Sequence, residues 1–162
     1  MELNVRELNY TSGGGSLLQD QPIPARRPVP ESGILLTHFI VSDDIERSKH
    51  FYADVLGGEV VREGEPTMIA LSNSWILINK GGGPTEDKPA VTLETPRGHV
   101  VSSFLNIRVA DIRAVYRDWS ARGADFLTPP IDRGVELRCY MRDPDGHLIE
   151  VGQTTALPWA GS

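Results

Sequence analysis

One half of this chain repeats the other, and that repeat is the strongest constraint on its fold. Three residues recur in type and order at a constant offset of 67 positions: Ile40, Asp44 and Ile45 match Ile107, Asp111 and Ile112. In each copy these residues lie where an apolar strand candidate meets a helix candidate that an aspartate can cap. A repeated order of elements indicates a repeated supersecondary unit. We therefore expect two copies of one unit.

Each half presents the same order of secondary-structure candidates. The first half contains a strand, a helix and three strands: "ILLTHFIV", "DDIERSKHFYADVLGG", "EVVRE", "TMIAL" and "WILIN". The second half follows the same order: "VSSFLNIRV", "ADIRAVYRDWSARG", "ADFLTPP", "VELRCYMRD" and "HLIEVGQ". Apolar residues at helical spacing, ended by glycine, indicate the two helices. The pattern predicts an α+β fold of two tandem βαβββ modules, with helices on one face of a mixed sheet.

These modules define the domain boundaries that we predict. The domain spans residues 34–153, with module one at 34–80 and module two at 100–153. Between them, residues 81–99 are rich in glycine and proline and form a long connector. Glycine and proline favour turns and irregular structure over helices and central strands.

The two ends of the chain lie outside the predicted domain, and the N-terminal end differs from it in composition. Residues 1–33 carry the run "TSGGGS" and prolines at positions 22, 24, 28 and 30, so they predict a flexible N-terminal arm. The alternative is an arm that packs on its own domain or on a partner chain. Residues 154–162 form a short C-terminal tail.

Charge and composition exclude several classes of partner. The 162 residues carry a formal net charge of −6. This charge disfavours nucleic acids and anionic membranes, because both attract a basic surface. No apolar run is long enough to cross a bilayer, and no signal-peptide pattern begins the chain. Cys139 is the single cysteine, which rules out an intrachain disulfide and agrees with the cytoplasmic location that we expect.

The stretch "RDPDGHLIEV" predicts a tight turn followed by a strand that contains a carboxylate. If the turn spans Asp143 to Gly146, residue 142 faces residue 147 and residue 139 faces residue 150. Alternation along the strands then places Glu150 on an otherwise apolar face. That face contains Leu137, Cys139, Met141 and Leu148.

A carboxylate on an apolar face requires a partner or a proton. Glu150 can hold a cation, pair with a base, or stay protonated with a raised pKa. The last state would make it a general acid or base. The structural alternative is a strand-end acid that pairs with Arg138 or Arg142 and takes no part in chemistry.

Three stretches together resemble the vicinal oxygen chelate superfamily, which includes glyoxalases, bleomycin-resistance proteins and extradiol dioxygenases. They are "LTHFIVSDDIERSKHFYADVLGG", "NIRVADIRAVYRDWSARGADFLTPP" and "MRDPDGHLIEV". The resemblance implies that the modules form a curved mixed sheet, a cup with the helices on its outer face. It also implies a small-molecule substrate or ligand in the cup. Because cups in that superfamily combine modules from one chain or from two, we expect a homodimer.

The resemblance also implies where a divalent metal would be held, on the first and last strands of each module. It assigns His38 and Glu150 to two of these positions, as metal ligands or as catalytic groups. The other two positions carry no matching ligand: Phe104 or Leu105, and Leu77 or Asn79. The expected cofactor is a divalent ion such as Zn, Ni, Fe or Mn, or the protein uses no metal.

The side chains predicted to contact a substrate are those expected to line the cup: Trp75, Asn79, Phe104, Cys139, Met141 and Leu148. Each has a structural alternative. Trp75 and Phe104 fit core packing equally well, and Cys139 fits a small buried hydrophobic position. His38 is as well explained by a hydrogen-bonded core histidine as by a ligand.

Three functions are compatible with these features. The first is a metal-assisted lyase or isomerase of the glyoxalase type, in which Glu150 moves a proton. The second is a metal-free protein that binds a drug or metabolite, as bleomycin-resistance proteins do. The third is an iron dioxygenase, which ranks lower because its two-histidine, one-carboxylate set has only one well-placed histidine here.

Overall fold

The computed structural model describes residues 33–156, which include the whole predicted domain. The predicted N-terminal arm, apart from its last residue, and positions 157–162 of the predicted tail lie outside the described residues. Within 33–156, no helix combines the length and the apolar character that a membrane crossing requires.

Module one contains the predicted elements in the predicted order. They are β1 (His38–Val41), α1 (Ile45–His50), a π-helical segment (Phe51–Val55), β2 (Glu59–Arg62), β3 (Thr67–Leu71) and β4 (Ser74–Asn79). The π-helical segment continues α1, and the Leu56 N–H donates to the Phe51 carbonyl at 3.0 Å. Gly57 then ends the helix with a φ of 87°, which glycine adopts readily.

Module two has the same order with one additional short strand. Its elements are β5 (Leu105–Arg108), α2 (Ile112–Ala121), β6 (Asp125–Phe126), β7 (Ile131–Asp132), β8 (Glu136–Arg142) and β9 (Leu148–Thr154). The strand predicted in "ADFLTPP" is only two residues long, because the prolines that follow cannot donate to a ladder. In the connector, Gly82 and Leu93 form an isolated antiparallel bridge.

Both helices begin at the predicted aspartates. The Asp44 side chain accepts from the Arg47 N–H at 3.1 Å, and the Asp111 side chain accepts from the Ala114 N–H at 2.9 Å. Each carboxylate satisfies an N–H group that has no partner inside its helix. The capping residues therefore start the two helices at equivalent points of the repeat.

Each module forms its own mixed sheet. The strand order is β1-β4-β3-β2 in module one and β5-β9-β8-β6 in module two, where β7 also pairs with β8. In both sheets the first strand is parallel to the last: His38 pairs with Ile76, and Leu105 pairs with Ile149. This shared topology confirms the predicted α+β fold of tandem βαβββ modules. No ladder joins the two sheets within the described part of the chain.

One hydrophobic core is shared by the two modules. Ile40 and Ile78 of module one and Met141 and Ile149 of module two belong to the same cluster, and each is at most 1% exposed. The helices add Trp119 and other apolar side chains to it. Since each strand alternates its side chains between two faces, the opposite faces of the sheets are left for other contacts.

A polar turn between β8 and β9 holds module two against module one. The Tyr52 hydroxyl donates to Asp143 Oδ2 at 2.9 Å, and both side chains are buried. Two residues further, Asp145 accepts from the Asp43 N–H at 3.0 Å and from Arg47 Nη2 at 2.8 Å. The Ser48 hydroxyl also donates to Asp145. Two carboxylates of module two are therefore bound by donors of module one.

The pKa values of the Asp143 and Asp145 carboxyls are shifted in opposite directions. Burial is the main reason that the pKa of Asp143 is raised, although the charge of His147 and the Tyr52 hydrogen bond oppose the rise. Burial also acts to raise the pKa of Asp145, but hydrogen bonds from Ser48 and the Asp43 N–H, together with Arg47, hold it below the ordinary value. Breaking one of these contacts leaves a buried carboxyl with fewer partners, which is costly.

Replacing Tyr52 with phenylalanine should therefore destabilise the whole domain. We expect Tyr52→Phe to lower the free energy of unfolding by about 1–3 kcal/mol, because the buried Asp143 loses a hydrogen-bond donor. Urea unfolding followed by circular dichroism measures this change. The matched control is Tyr116→Phe, because Tyr116 is a partly buried tyrosine of α2 whose ring packs against Phe126 within module two. Equal effects of the two substitutions would contradict the assignment.

Candidate functional site

The register of the last hairpin decides which side chains accompany Glu150. Tyr140 pairs with Glu150 and Arg142 pairs with Leu148, so the predicted register was wrong by one residue. The Asp143 N–H donates to the His147 carbonyl at 3.0 Å, which leaves a loop of three residues rather than two between the paired positions. A slip of one residue moves every side chain of a strand to the other face.

The face that carries Glu150 is consequently polar and not apolar. Cys139 and Met141, which were predicted to share this face, lie in the core instead and are at most 1% exposed. Burial raises the pKa of the Cys139 thiol to about 11, which disfavours the reactive thiolate. Leu148 and Tyr140 alternate onto the same face as Glu150.

Three donors surround the Glu150 carboxylate. Oε1 accepts from Asn106 Nδ2 at 2.6 Å, and Oε2 accepts from the Tyr140 hydroxyl at 2.6 Å. Arg108 Nη1 lies 3.5 Å from Oε1. Glu150 itself is only 6% exposed. The carboxylate is thus neutralised and hydrogen-bonded on both oxygens, as burial of a charged group requires.

A second layer of charged groups lies beside this carboxylate. Arg108 Nη2 contacts Glu136 Oε2 at 2.7 Å and Thr154 Oγ1 at 3.2 Å, and Arg138 Nη1 contacts Glu136 Oε1 at 3.1 Å. Gly152 pairs directly with Arg108 on the neighbouring strand. A Cβ atom at Gly152 would lie 2.1 Å from Arg108 Nη1, so this glycine leaves the space that the guanidinium occupies. We call the four side chains Arg108, Glu136, Arg138 and Glu150 the charged cluster.

Aromatic rings flank the charged cluster. The Phe104 and Tyr140 rings pack edge to face with centroids 6.1 Å apart, and the Arg138 guanidinium carbon lies 5.6 Å from the centre of the Tyr140 ring. Phe104, the residue directly before β5, is 44% exposed, so its ring presents apolar surface beside the cluster. The site therefore offers both apolar and charged surface within a few ångströms.

A cavity of about 320 Å³ adjoins this face. Of the residues predicted for the site, it brings together His38, Phe104 and Leu148. Its other walls come from the end of the connector, the residues before β5, the second residue of β1 and the hairpin: Phe39, Pro96, Val100, Val101, Ser102, Ser103 and His147. Both modules thus contribute walls, and the volume suits a small organic molecule.

His38 lies at this cavity but does not contact Glu150. Burial lowers the pKa of His38, and the charge of His147 lowers it further. His147 is held in place because its Nε2 lies 2.7 Å from the Val41 carbonyl oxygen. His38 is therefore a neutral imidazole at neutral pH that faces the cavity wall with a second histidine nearby.

The other two predicted contacts, both in β4, lie away from this cavity. Trp75 is fully buried, and its indole N–H has no hydrogen-bond partner among residues 33–156. The Asn79 side chain accepts from the Lys80 N–H at 3.1 Å. Neither residue lines the cavity beside Phe104.

The residues around Glu150 do not fit a divalent metal ion. Such an ion needs several oxygen, nitrogen or sulfur ligands with free lone pairs. The neighbours of Glu150 instead direct an amide N–H, a phenol O–H and a guanidinium at its oxygens. No group of three His, Cys, Asp or Glu side chains within the described residues is placed to hold an ion.

Sequence reasoning missed the donors that surround Glu150: Asn106, Arg108 and Tyr140. A signal for two of them was present. At the offset of 67, Asn106 and Arg108 correspond to Phe39 and Val41, so polar residues in module two replace apolar residues in module one. Alternation in "LNIR" also places both on one face of β5.

Comparisons with known proteins agree with this fold. A model of the glyoxalase/bleomycin resistance protein/dioxygenase superfamily matches residues 35–151. Biphenyl-2,3-diol 1,2-dioxygenase 3 from Rhodococcus globerulus is 28% identical over 123 residues. That match covers 72% of this chain and 61% of the dioxygenase, so the chain spans less than two thirds of that protein.

Solved structures show the same architecture at low sequence identity. A glyoxalase/bleomycin resistance protein/dioxygenase from Nocardioides has a TM-score of 0.63 at 20% identity, covering 83% of this chain and 91% of its own. TnmS3, an antibiotic binding protein from Streptomyces sp. CB03234, has a TM-score of 0.57 at 17% identity, covering 78% and 100%. At these identities the likeness establishes the fold alone.

Ionisation of Tyr140 should report its contact with Glu150. The hydrogen bond to Glu150 is the main reason that the pKa of Tyr140 is raised, with further contributions from burial and from the charge of Glu150. In an NMR titration of labelled tyrosine rings, Tyr140 should ionise above its usual pKa of about 10. Glu150→Gln should lower that midpoint because the negative charge is lost.

The Tyr140→Phe variant assigns the resonance by removing it. If Glu150→Gln leaves the midpoint of Tyr140 unchanged, the contact does not exist in solution.

Proposed function

Since the chain belongs to the glyoxalase/bleomycin resistance protein/dioxygenase superfamily, we propose that it binds a small organic molecule without a metal ion. The observation that carries the proposal is the environment of Glu150. This residue occupies the position that the superfamily resemblance assigns to a final metal ligand. Its oxygens are already engaged by Asn106, Tyr140 and Arg108.

Electrostatics support a metal-free site. A divalent ion bound by Glu150 would lie close to the Arg108 guanidinium, which is 3.5 Å from the same carboxylate oxygen. Two like unit charges about 4 Å apart repel by about 4 kcal/mol at the effective dielectric constant of a protein surface. Arg108 thereby supplies the positive charge that a metal would otherwise bring to Glu150.

The cavity and the aromatic rings support a ligand-binding role. Phe104 and Leu148 lie in the wall of the cavity of about 320 Å³. The Phe104 ring also packs against the Tyr140 ring. Apolar surface with a few positioned polar groups is typical of small-molecule sites. The structural neighbour TnmS3 is an antibiotic binding protein, which is consistent with a binding role on this fold.

Lyase or isomerase chemistry with Glu150 as acid or base is the second candidate. The observation in its favour is the hydrogen bond of 2.6 Å between the Tyr140 hydroxyl and Glu150 Oε2. A phenol and a carboxylate in contact can pass a proton to or from a bound molecule.

Iron dioxygenase chemistry requires a two-histidine, one-carboxylate set. Of the residues near Glu150, none is a second or third ligand of that kind within the described part of the chain.

Metal content and ligand binding test the main proposal together. We expect untagged wild-type protein, purified without chelator, to contain far less than one Zn, Ni, Fe or Mn per chain by elemental analysis. Biphenyl-2,3-diol is a suitable probe because a curated relative carries it in its name. Its stabilisation of the protein against thermal unfolding should be unchanged by excess EDTA.

The matched variant for this experiment is Glu150→Gln, which keeps the size of the side chain and removes its charge. Stoichiometric metal in the wild type and its loss in the variant would sink the proposal. Oxygen consumption with the diol that requires added iron would support the dioxygenase instead. Turnover of a carbonyl substrate that is retained in EDTA but lost in the variant would support the lyase or isomerase.

We also infer that the protein is a homodimer. Strands β1 and β5 lie at sheet edges. A large exposed apolar side chain lies within β1 and another directly before β5: Phe39 is 46% exposed and Phe104 is 44% exposed. Edge strands and exposed apolar groups favour association with another chain. Light scattering during size-exclusion chromatography should give twice the mass of the chain. The mass of one chain at every concentration would contradict a dimer.

A further inference from the structure

We propose that the ligand carries an oxyanion such as a carboxylate, and that Arg138 and Arg108 bind this group while the aromatic rings beside them contact the body of the ligand. This inference rests on the proposed function, because it names the ligand class of the same site. It follows from the arrangement of the charged cluster, in which the acids lie beneath the guanidiniums.

Exposure separates the two kinds of charge in the cluster. The Glu150 and Glu136 side chains are only 7% and 17% exposed, whereas the Arg108 and Arg138 side chains are 45% and 32% exposed. The surface of the cluster that an incoming molecule meets is therefore formed mainly by the two arginine side chains. The carboxylates beneath them hold these groups in place.

The charged cluster has more unused hydrogen-bond donors than unused acceptors. Both oxygens of Glu136 and both oxygens of Glu150 already accept hydrogen bonds. A guanidinium has five N–H groups. Among the described residues, Arg138 uses one of them and Arg108 uses three. The cluster thus has unused donors and few unused acceptors, which favours a ligand that supplies oxygen acceptors.

The two arginines are held side by side, so their unused N–H groups can bind one oxyanion together. Glu136 holds Arg108 through one oxygen and Arg138 through the other, so the two guanidiniums are neighbours on one carboxylate. The contact with Arg108 is the main reason that the pKa of Glu136 is lowered, so this carboxylate stays charged at neutral pH. Guanidiniums that are held in place lose less conformational freedom when they bind an oxyanion.

The aromatic neighbours define the rest of the ligand. The Tyr140 ring lies beside Arg138, and Phe104 connects this ring to the cavity wall. An acid attached directly to an aromatic ring would place its carboxylate at the guanidiniums and its ring against these side chains. The class of ligand is therefore an aromatic acid, or a compound with an equivalent ring and oxyanion.

Three probes with one aromatic body test the inference: 2-naphthoate, 2-naphthylmethanol and 2-naphthylmethylamine. Isothermal titration calorimetry measures the dissociation constant of each for the wild-type protein. We expect 2-naphthoate to bind about tenfold more tightly than the alcohol, as for a charge-assisted hydrogen bond, and the amine to bind most weakly. The preference for the acid should decrease with added salt, because screening weakens charge interactions.

Variants locate the preference in the cluster. Arg138→Met keeps most of the apolar side chain and should remove most of the preference, whereas Arg117→Met on the exposed surface of α2 should leave it unchanged. Gly152→Ala should weaken binding of the acid by displacing Arg108 without changing the charge of the protein. Circular dichroism confirms that each variant is folded.

The outcomes separate this inference from the function on which it rests. If none of the three probes binds, the inference is overturned, whereas the proposed function is decided by the metal content and by the diol, which do not depend on these probes. If all three bind equally, or the amine binds most tightly, the function stands and the inference is overturned. An acid preference that survives in Arg138→Met and in Gly152→Ala also overturns it.

Discussion

The docking of the β8–β9 turn onto module one is the interaction on which the rest of the structure depends. Asp143 and Asp145 lie in this turn and accept hydrogen bonds from Tyr52 and Arg47 across the module boundary. Burying two carboxylates is favourable only when donors of this kind meet them. The turn therefore has one position relative to α1, and this position also sets where β9 begins. Glu150 lies in the same strand, so its location follows from the contacts of the turn.

The same physical rule governs the charged cluster, with a different consequence. Glu150 is buried and therefore requires donors, which Asn106, Tyr140 and Arg108 provide. In the turn, the donors come from the other module and hold the fold together. In the cluster, they come from the same sheet, and their outer surfaces remain exposed. A buried acid thus becomes the support for an exposed basic surface.

The two modules share a topology but differ in the chemistry of their open faces. The positions of Asn106 and Arg108 in β5 correspond to Phe39 and Val41 in β1. The pair formed by Asn106 and Glu150 therefore has an apolar counterpart in module one, where Phe39 pairs with Leu77. Repeated elements preserve the core side of each sheet because both modules pack into one core. The opposite face is free to diverge, and within residues 33–156 the polar site occurs in module two and not in module one.

Sequence alone determined the features that depend on neighbours along the chain. The repeat at 67 residues, the capping aspartates and the turn before β9 predicted the tandem βαβββ fold, since each of these signals is local. The sequence also drew attention to Glu150, because a carboxylate inside an apolar strand stands out. The surroundings of Glu150 were not predicted correctly. The hairpin loop contains one residue more than the predicted turn, and this difference places the other set of β8 side chains on the face that carries Glu150. Only the tertiary structure brought Asn106 and Arg108, more than 40 positions away, to the carboxylate of Glu150. Strand pairing and the need to neutralise a buried charge determine which distant residues contact Glu150. Neither can be read from a local pattern of residues.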